Sequence, residues 1–224
     1  MIERLIGELR AHANPANVAG MARYAINTSG TLGVPVHVIR KLAKETGRDH
    51  ALAEQLWNSG IHEARILAAL VDDPAWVTAR QMERWARDFD SWDVCDQACH
   101  SLFRYSPMAW RKAEQWARAK GEFVRRAGFS LMAGLAVKDQ KATDEQFAAL
   151  FPLIAEAASD ERNMVKKAVN WALRGIGKRN RRLHQMAIAA AEEIRRQDSR
   201  AARWIAADAL RELRNAATIA RIQG

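Results

Sequence analysis

An all-α protein of stacked helix pairs is the fold this sequence predicts, on three observations. Apolar residues recur at helical spacing along nearly the whole chain, and no stretch sustains the period-two alternation of a half-buried strand. Prolines, glycines and capping residues return at short intervals, so no helix can run long. The expected inventory is about a dozen helices of roughly 10 to 16 residues joined by loops of a few residues. Short helices in succession, without coiled-coil heptads, suggest a curved solenoid of degenerate HEAT-like helix pairs, a single domain over residues 1–224. An irregular globular helix bundle is the alternative.

The elements follow in order. In "MIERLIGELRAHA", Ile2, Leu5, Ile6 and Leu9 form one stripe, while Glu3, Arg4, Glu8 and Arg10 break the run. That excludes a secretion-signal core and predicts an amphipathic helix. Asn14–Pro15 pairs a cap with a favoured first helical residue, and Asp73–Pro74 repeats the signal. Pro35 follows "GTLGV" and leads into the next helical pattern. Ile61, Ala64, Leu67, Ala68 and Val71 make a second stripe. Asp90 or Ser91 caps a helix whose core stripe is Val94, Ala98 and Leu102. Pro107 and Pro152 fall early in further segments, and the polar connector Val137–Phe147 carries a capping box, Thr143 with Gln146. From Asn163 to Arg182 the buried stripe is Val165, Ala168, Val169, Ala172 and Ile176.

Composition narrows the function. A net charge of +9 favours a polyanionic partner, and nucleic acid comes first among those. No run approaches the ~20 apolar residues that span a bilayer, so a soluble, cytoplasmic protein without a membrane partner is expected. Cys95 and Cys99 lie at i and i+4, an awkward geometry for a disulfide. With His100 they fall short of a metal site. They read as small semi-buried residues in a reducing compartment, and neither metal nor cofactor is expected.

Two tryptophans fall off the apolar stripes. Trp171 shares a helix side with Lys167, Arg174 and Lys178, at i−4, i+3 and i+7. That pattern suits a surface meeting a phosphate backbone, with an aromatic face for a base or sugar. A tryptophan at a helix seam under snorkelling lysine stems is the alternative. Trp92 precedes Asp96 by one turn, so the two are neighbours on the helix surface. One reading is a carboxylate held beside an indole, ready to stabilise a transient cation. The other makes Asp93 and Asp96 solvated acids near a helix start, with Trp92 as a staple. Arg126, with Phe123 one turn earlier, is a candidate phosphate clamp, against the commoner solvated helix-end arginine.

The segments "NPANVAGMARYAINTSGTLGVPVHVIRKLAK", "SWDVCD", "FVRRAGFSL" and "KKAVNWALR" resemble, in order and rough spacing, the AlkD family of bacterial DNA alkylation-repair glycosylases. The resemblance runs from about Asn14 to Lys178, and its most specific parts are W-D-x-x-D at Trp92, Asp93 and Asp96 and K-A-[IV]-x-W-x-L-R from Lys167 to Arg174. It implies a curved HEAT-like array with a basic face for duplex DNA. It also implies an activity, the excision of cationic N3-alkyladenine and N7-alkylguanine by hydrolysis of the N-glycosidic bond. Carried over by position, Trp92 and Trp171 pack on the damaged nucleotide's backbone and sugar, and Asp96 is the catalytic carboxylate. Tyr24 lines the same site and Arg126 helps hold the DNA, while Lys167, Arg174 and Lys178 are DNA-binding candidates from their spacing around Trp171. Two departures concern substrate range and DNA footprint: Ser29–Gly30 stands where bulkier residues are expected, and the interval from Asp96 to Arg126 is short.

The chemistry fits these residues on its own terms. A cationic purine is already a good leaving group, so a carboxylate that stabilises an oxocarbenium-like sugar suffices without a strong acid. The expectation is therefore a monomeric enzyme acting on duplex DNA containing alkylated bases. A non-catalytic HEAT-like protein binding damaged or branched DNA is the runner-up, and a protein–protein scaffold is third.

Overall fold

The computed structural model describes residues 1–223, and among these the regular structure is helical throughout. The helices are α1 (Ile2–Ala11), α2 (Pro15–Ala22), α3 (Val36–Thr46), α4 (His50–Asn58), α5 (His62–Val71), α6 (Ala79–Arg87) and α7 (Trp92–Ser101). A single 3₁₀ turn, Phe103–Tyr105, leads to α8 (Ala109–Ala117), α9 (Glu122–Lys138), α10 (Asp144–Ala148), α11 (Phe151–Ala157), α12 (Asn163–Gly177), α13 (Arg181–Arg195), α14 (Arg200–Leu213) and α15 (Ala216–Gln223).

Local chemistry sets the boundaries. The Asn14 side chain accepts the N–H groups of Ala16 and Asn17, with Pro15 at the first helical position. Asp49, Thr78, Asn180 and Ser199 each cap a helix in the same way. The capping box at Thr143 and Gln146 is present. Asp73–Pro74 does not start a helix. The Asp73 carboxylate accepts the Ala75 N–H, residues 74–76 form a turn, and the helix waits for Thr78. An aspartate before a proline serves an Asx turn as readily as a cap. Helices are also more numerous and some shorter than expected; α10 has only 5 residues.

The packing falls into two compact units, Met1–Met108 and the chain from Ala109 onward. In the first, α3, α4 and α7 all pack on α5, and α1 rests on α4 and α5. Enclosure on several sides explains why α5 is buried nearly all round rather than along one stripe. Beside it, the Trp57 and Trp85 rings stack at 3.9 Å and 5°, and the Trp57 indole donates to the Asp88 carboxylate at 2.9 Å. The second unit is built around α9 and α12, with α8 on α9 and α13 and α14 on α12. Its expected stripe, Val165 to Ile176, is buried at every position. Cys95 and Cys99 are fully buried thiols rather than semi-buried ones. Among the described residues no helix is long and apolar enough to cross a membrane.

Candidate functional site

Trp92 is the first residue of α7, and its half-buried indole donates Nε1–H to the Tyr24 carbonyl at 2.9 Å. That carbonyl is presented by the way α2 ends. The Ala25 N–H reaches Ala22 O and the Ile26 N–H reaches Met21 O, closing the helix through a left-handed residue. Here that residue is Ala25, with φ 56°, a conformation uncommon outside glycine. Tyr24 itself is 72% exposed. Tyr24 and Trp92 line a cleft of about 430 Å³ whose apolar wall includes Met21, Ile26, Val34 and Pro35. Asp96 sits one turn along α7 from Trp92, half-buried.

Buried polar contacts hold the walls of this cleft. Glu63, 1% exposed, accepts the backbone N–H groups of Leu32, Gly33 and Val34 at 2.9, 2.6 and 3.2 Å. Three amides aimed at one carboxylate make a small anion nest from the loop itself. The loop can close there because Gly33 has φ 78°, and any Cβ would collide with the Asn14 carbonyl oxygen. Ser29–Gly30, where bulkier residues were expected, lies in the turn just before this segment. Gly30 has φ 70° and its carbonyl accepts the His62 N–H at 3.1 Å, a conformation that disfavours a bulkier residue. Asn27 donates to Asp90 at 2.8 Å, tying this loop to the residues before α7.

Asp93 is not a solvated acid. His62, 4% exposed at the start of α5, holds it through Nε2 at 2.8 Å, and the Ser91 hydroxyl donates to its other oxygen at 2.6 Å. Burial alone would lower the imidazole pKa. The bond to Asp93 and the charges of Asp93, Glu63 and Asp90 outweigh it and leave His62 raised. Burial likewise opposes ionisation of Asp93, and the His62 bond and charge outweigh that to leave its pKa lowered. Both shifts favour an imidazolium–carboxylate pair.

In the second unit, Trp171 lines a cleft of about 470 Å³ with Val137, Gln140, Lys178, Arg179 and Asn180. The cationic row expected beside it is only partly open. Lys167 is exposed, but Lys178 Nζ bonds Glu212 at 2.6 Å, and Arg174 bonds the same carboxylate. Burial would raise the Glu212 pKa, but the Lys178 bond and the Arg174 charge hold it below the usual range. Arg126 is neither an exposed clamp nor a solvated helix end. It is 6% exposed and donates Nη1 to the Met164 carbonyl at 2.8 Å, tying α9 to the first turn of α12.

The structure thus brings Tyr24 and Trp92 together and places Asp96 one turn away. Lys167, Trp171 and Arg174 follow one another at one-turn spacing along α12, and Lys178 caps its C-terminal end. Sequence reasoning missed His62, Glu63 and Glu212. For the first two a signal existed, since "IHEARILAALV" sets His62, Glu63 and Arg65 against a helix whose other residues are all apolar. Glu212 gave none, because its partners lie 34 and 38 residues away.

The comparisons with known proteins agree with this fold. A protein of a family described as related to the HEAT-like repeat DNA glycosylases, with affinity for branched DNA structures, superposes with a TM-score of 0.78 at 19% identity, over 94% of each chain. A designed armadillo repeat protein in complex with a (KR)4 peptide gives a TM-score of only 0.39 at 13% identity, over 84% of this chain and 79% of that one. No curated protein matches. The fold is therefore all-α and of the HEAT-like repeat type. The family model for DNA alkylation repair enzymes matches residues 5–220, across both units, and the chain belongs to that family.

Proposed function

We propose that this protein is a DNA glycosylase that excises cationic N3- and N7-alkylated purines from duplex DNA. The observation that carries the reading is the indole of Trp92, fixed by the Tyr24 carbonyl, with the Asp96 carboxylate one turn along α7. Family membership and the net charge of +9 support it.

In this mechanism the C1′–N bond breaks and its electron pair neutralises the departing purine, so no proton donor is needed. The sugar becomes oxocarbenium-like. Asp96 stabilises that charge and orients the water that attacks C1′, while the Trp92 and Trp171 faces favour positive charge. The second proton of that water passes to bulk solvent. Lys167 contacts the phosphate backbone, while Arg174 and Lys178 contribute from their shared hold on Glu212. Arg126 acts by positioning α12. The protein works as a monomer on intact duplex and needs neither metal nor cofactor.

The test is to incubate the protein with methylated duplex DNA and follow released bases by chromatography. 7-Methylguanine and 3-methyladenine should appear, while deoxyinosine and deoxyuridine stay intact, because their bases leave poorly unless protonated. Comparable rates on deoxyinosine would reveal a proton donor and remove this mechanism. A second reading is non-catalytic binding of branched DNA, favoured by the affinity described for the similar solved protein. Tight binding of a four-way junction with no base released would select it.

A further inference from the structure

At the far end of α7 from Trp92 lies another cleft, of about 410 Å³, lined in part by Arg48, Pro74, His100, Ser101, Arg104 and Tyr105. Its lining carries two guanidinium groups and an imidazole but no carboxylate. Of the two acids before Pro74, Asp72 is fully buried and occupied by His50 at 2.8 Å and Gln81 at 2.6 Å, and the half-buried Asp73 carboxylate accepts the Ala75 N–H at 3.0 Å. The cleft's volume lies within the range of small-molecule sites.

Its donors are already oriented. Arg48 gives one nitrogen to the Asp72 carbonyl at the end of α5, which holds its guanidinium at the rim. Arg104 donates Nη2 to the Tyr105 hydroxyl at 2.9 Å and lies over that ring at 4.9 Å, while its Nε is buried without a hydrogen-bond partner. The Ser101 hydroxyl accepts from Gln97, which leaves its own proton to donate.

Exposed aromatics accompany the cations. Tyr105 is 50% exposed, and Trp76, in the same turn as Pro74, is 68% exposed. Cations interleaved with open aromatic faces are the pattern that tracks a phosphate backbone and stacks unpaired bases. From these juxtaposed groups we propose that the cleft at the C-terminal end of α7 binds an unpaired segment of a DNA strand, its phosphate held by Arg48, Arg104 and Ser101 and a base stacked on Trp76. α7 has 10 residues and so separates this patch from Trp92 by about 15 Å. The inference goes beyond the glycosylase reading and shares with it only the partner, DNA.

The test measures fluorescence anisotropy of a labelled oligothymidylate, a duplex of equal length, and competition by free thymidine monophosphate. Trp76→Ala and Arg104→Gln should each weaken single-strand binding roughly tenfold, the scale of losing one stacking or backbone contact. Duplex binding should change less than about twofold. Trp76 is exposed, so its variant should fold normally, and thermal melting checks this for both. Unchanged single-strand affinity in a folded Trp76→Ala protein overturns the proposal. So does an equal loss on duplex, which would mark a general backbone contact, or free nucleotide competing as well as the strand. Base release by the unsubstituted protein is scored in parallel, so failure of this patch and failure of the glycosylase reading are separately visible.

Discussion

The buried His62 and the half-buried Asp93 form an imidazole–carboxylate contact of 2.8 Å that joins the first turn of α5 to the first turn of α7. It anchors the helix that presents Trp92 and Asp96, so its titration should be felt in the stability of the first unit. The raised His62 contributes stability that is fully present below its ordinary value of 6.5 and lost as pH rises through the folded value. The lowered Asp93 contributes stability present above 3.8 and lost as pH falls through its folded value. The pair is at full strength between those two ordinary values. His62→Gln should cost about 3 kcal/mol at pH 6, the scale of breaking a buried pair, and should flatten the alkaline decline of Tm. An identical pH profile in the variant would mean that another group controls it.

Glu63→Gln should loosen the loop before α3. An amide in place of the carboxylate turns an NH₂ towards backbone N–H groups that need acceptors, at a cost of about 2 kcal/mol. Urea unfolding measures the loss, and hydrogen exchange should show reduced protection at Leu32, Gly33 and Val34. Protection equal to the unsubstituted protein would assign the loop's order to some other contact.

Asp96→Asn should cut base release by at least ~10²-fold, the usual effect of losing one electrostatic stabiliser. Duplex affinity should hardly fall, because a charge repelled by phosphate has been removed. Unchanged turnover excludes Asp96 as the catalytic carboxylate.

Binding to undamaged duplex should weaken steeply with salt, and Lys167→Ala should reduce the log–log slope by about 0.9, one phosphate contact. Lys178→Ala should reduce it by less, because the ammonium is already bonded to Glu212, which Arg174 still pairs once the lysine is gone. Affinity independent of salt would point to a protein scaffold instead.

The helical architecture was legible because each buried stripe obeys a local period. Leu5, Ile6 and Leu9, and the run from Val165 to Ile176, are buried where the spacing puts them. Capping chemistry is equally local, so Thr143–Gln146 could be read directly. Asp73–Pro74 could not, since the same dipeptide suits a turn. At the candidate site, the neighbours on α7 were visible but the long-range ties were not. Nothing in periodicity joins Trp92 to a carbonyl 68 residues earlier, or Glu63 to a loop about 30 residues before it. Arg126 shows the limit clearly: a cation at the head of an apolar run reads as exposed, until the first turn of α12 supplies a carbonyl for it.

The parallel Trp57 and Trp85 rings, sealed in the first unit, give the protein's fluorescence an inner component, set apart from the half-buried Trp92, Trp110 and Trp171 and from the exposed indoles. Trp57, Trp85 and Trp116 are at most 2% exposed, whereas Trp76 and Trp204 are 68% and 41% exposed. A water-soluble quencher such as iodide reaches the outer tryptophans and leaves the inner emission intact. DNA that covers a surface indole should therefore shield only the quenchable fraction. If the quencher-resistant emission changes on binding, the ligand has disturbed an interior indole, either in the stacked pair of the first unit or at Trp116 in the second.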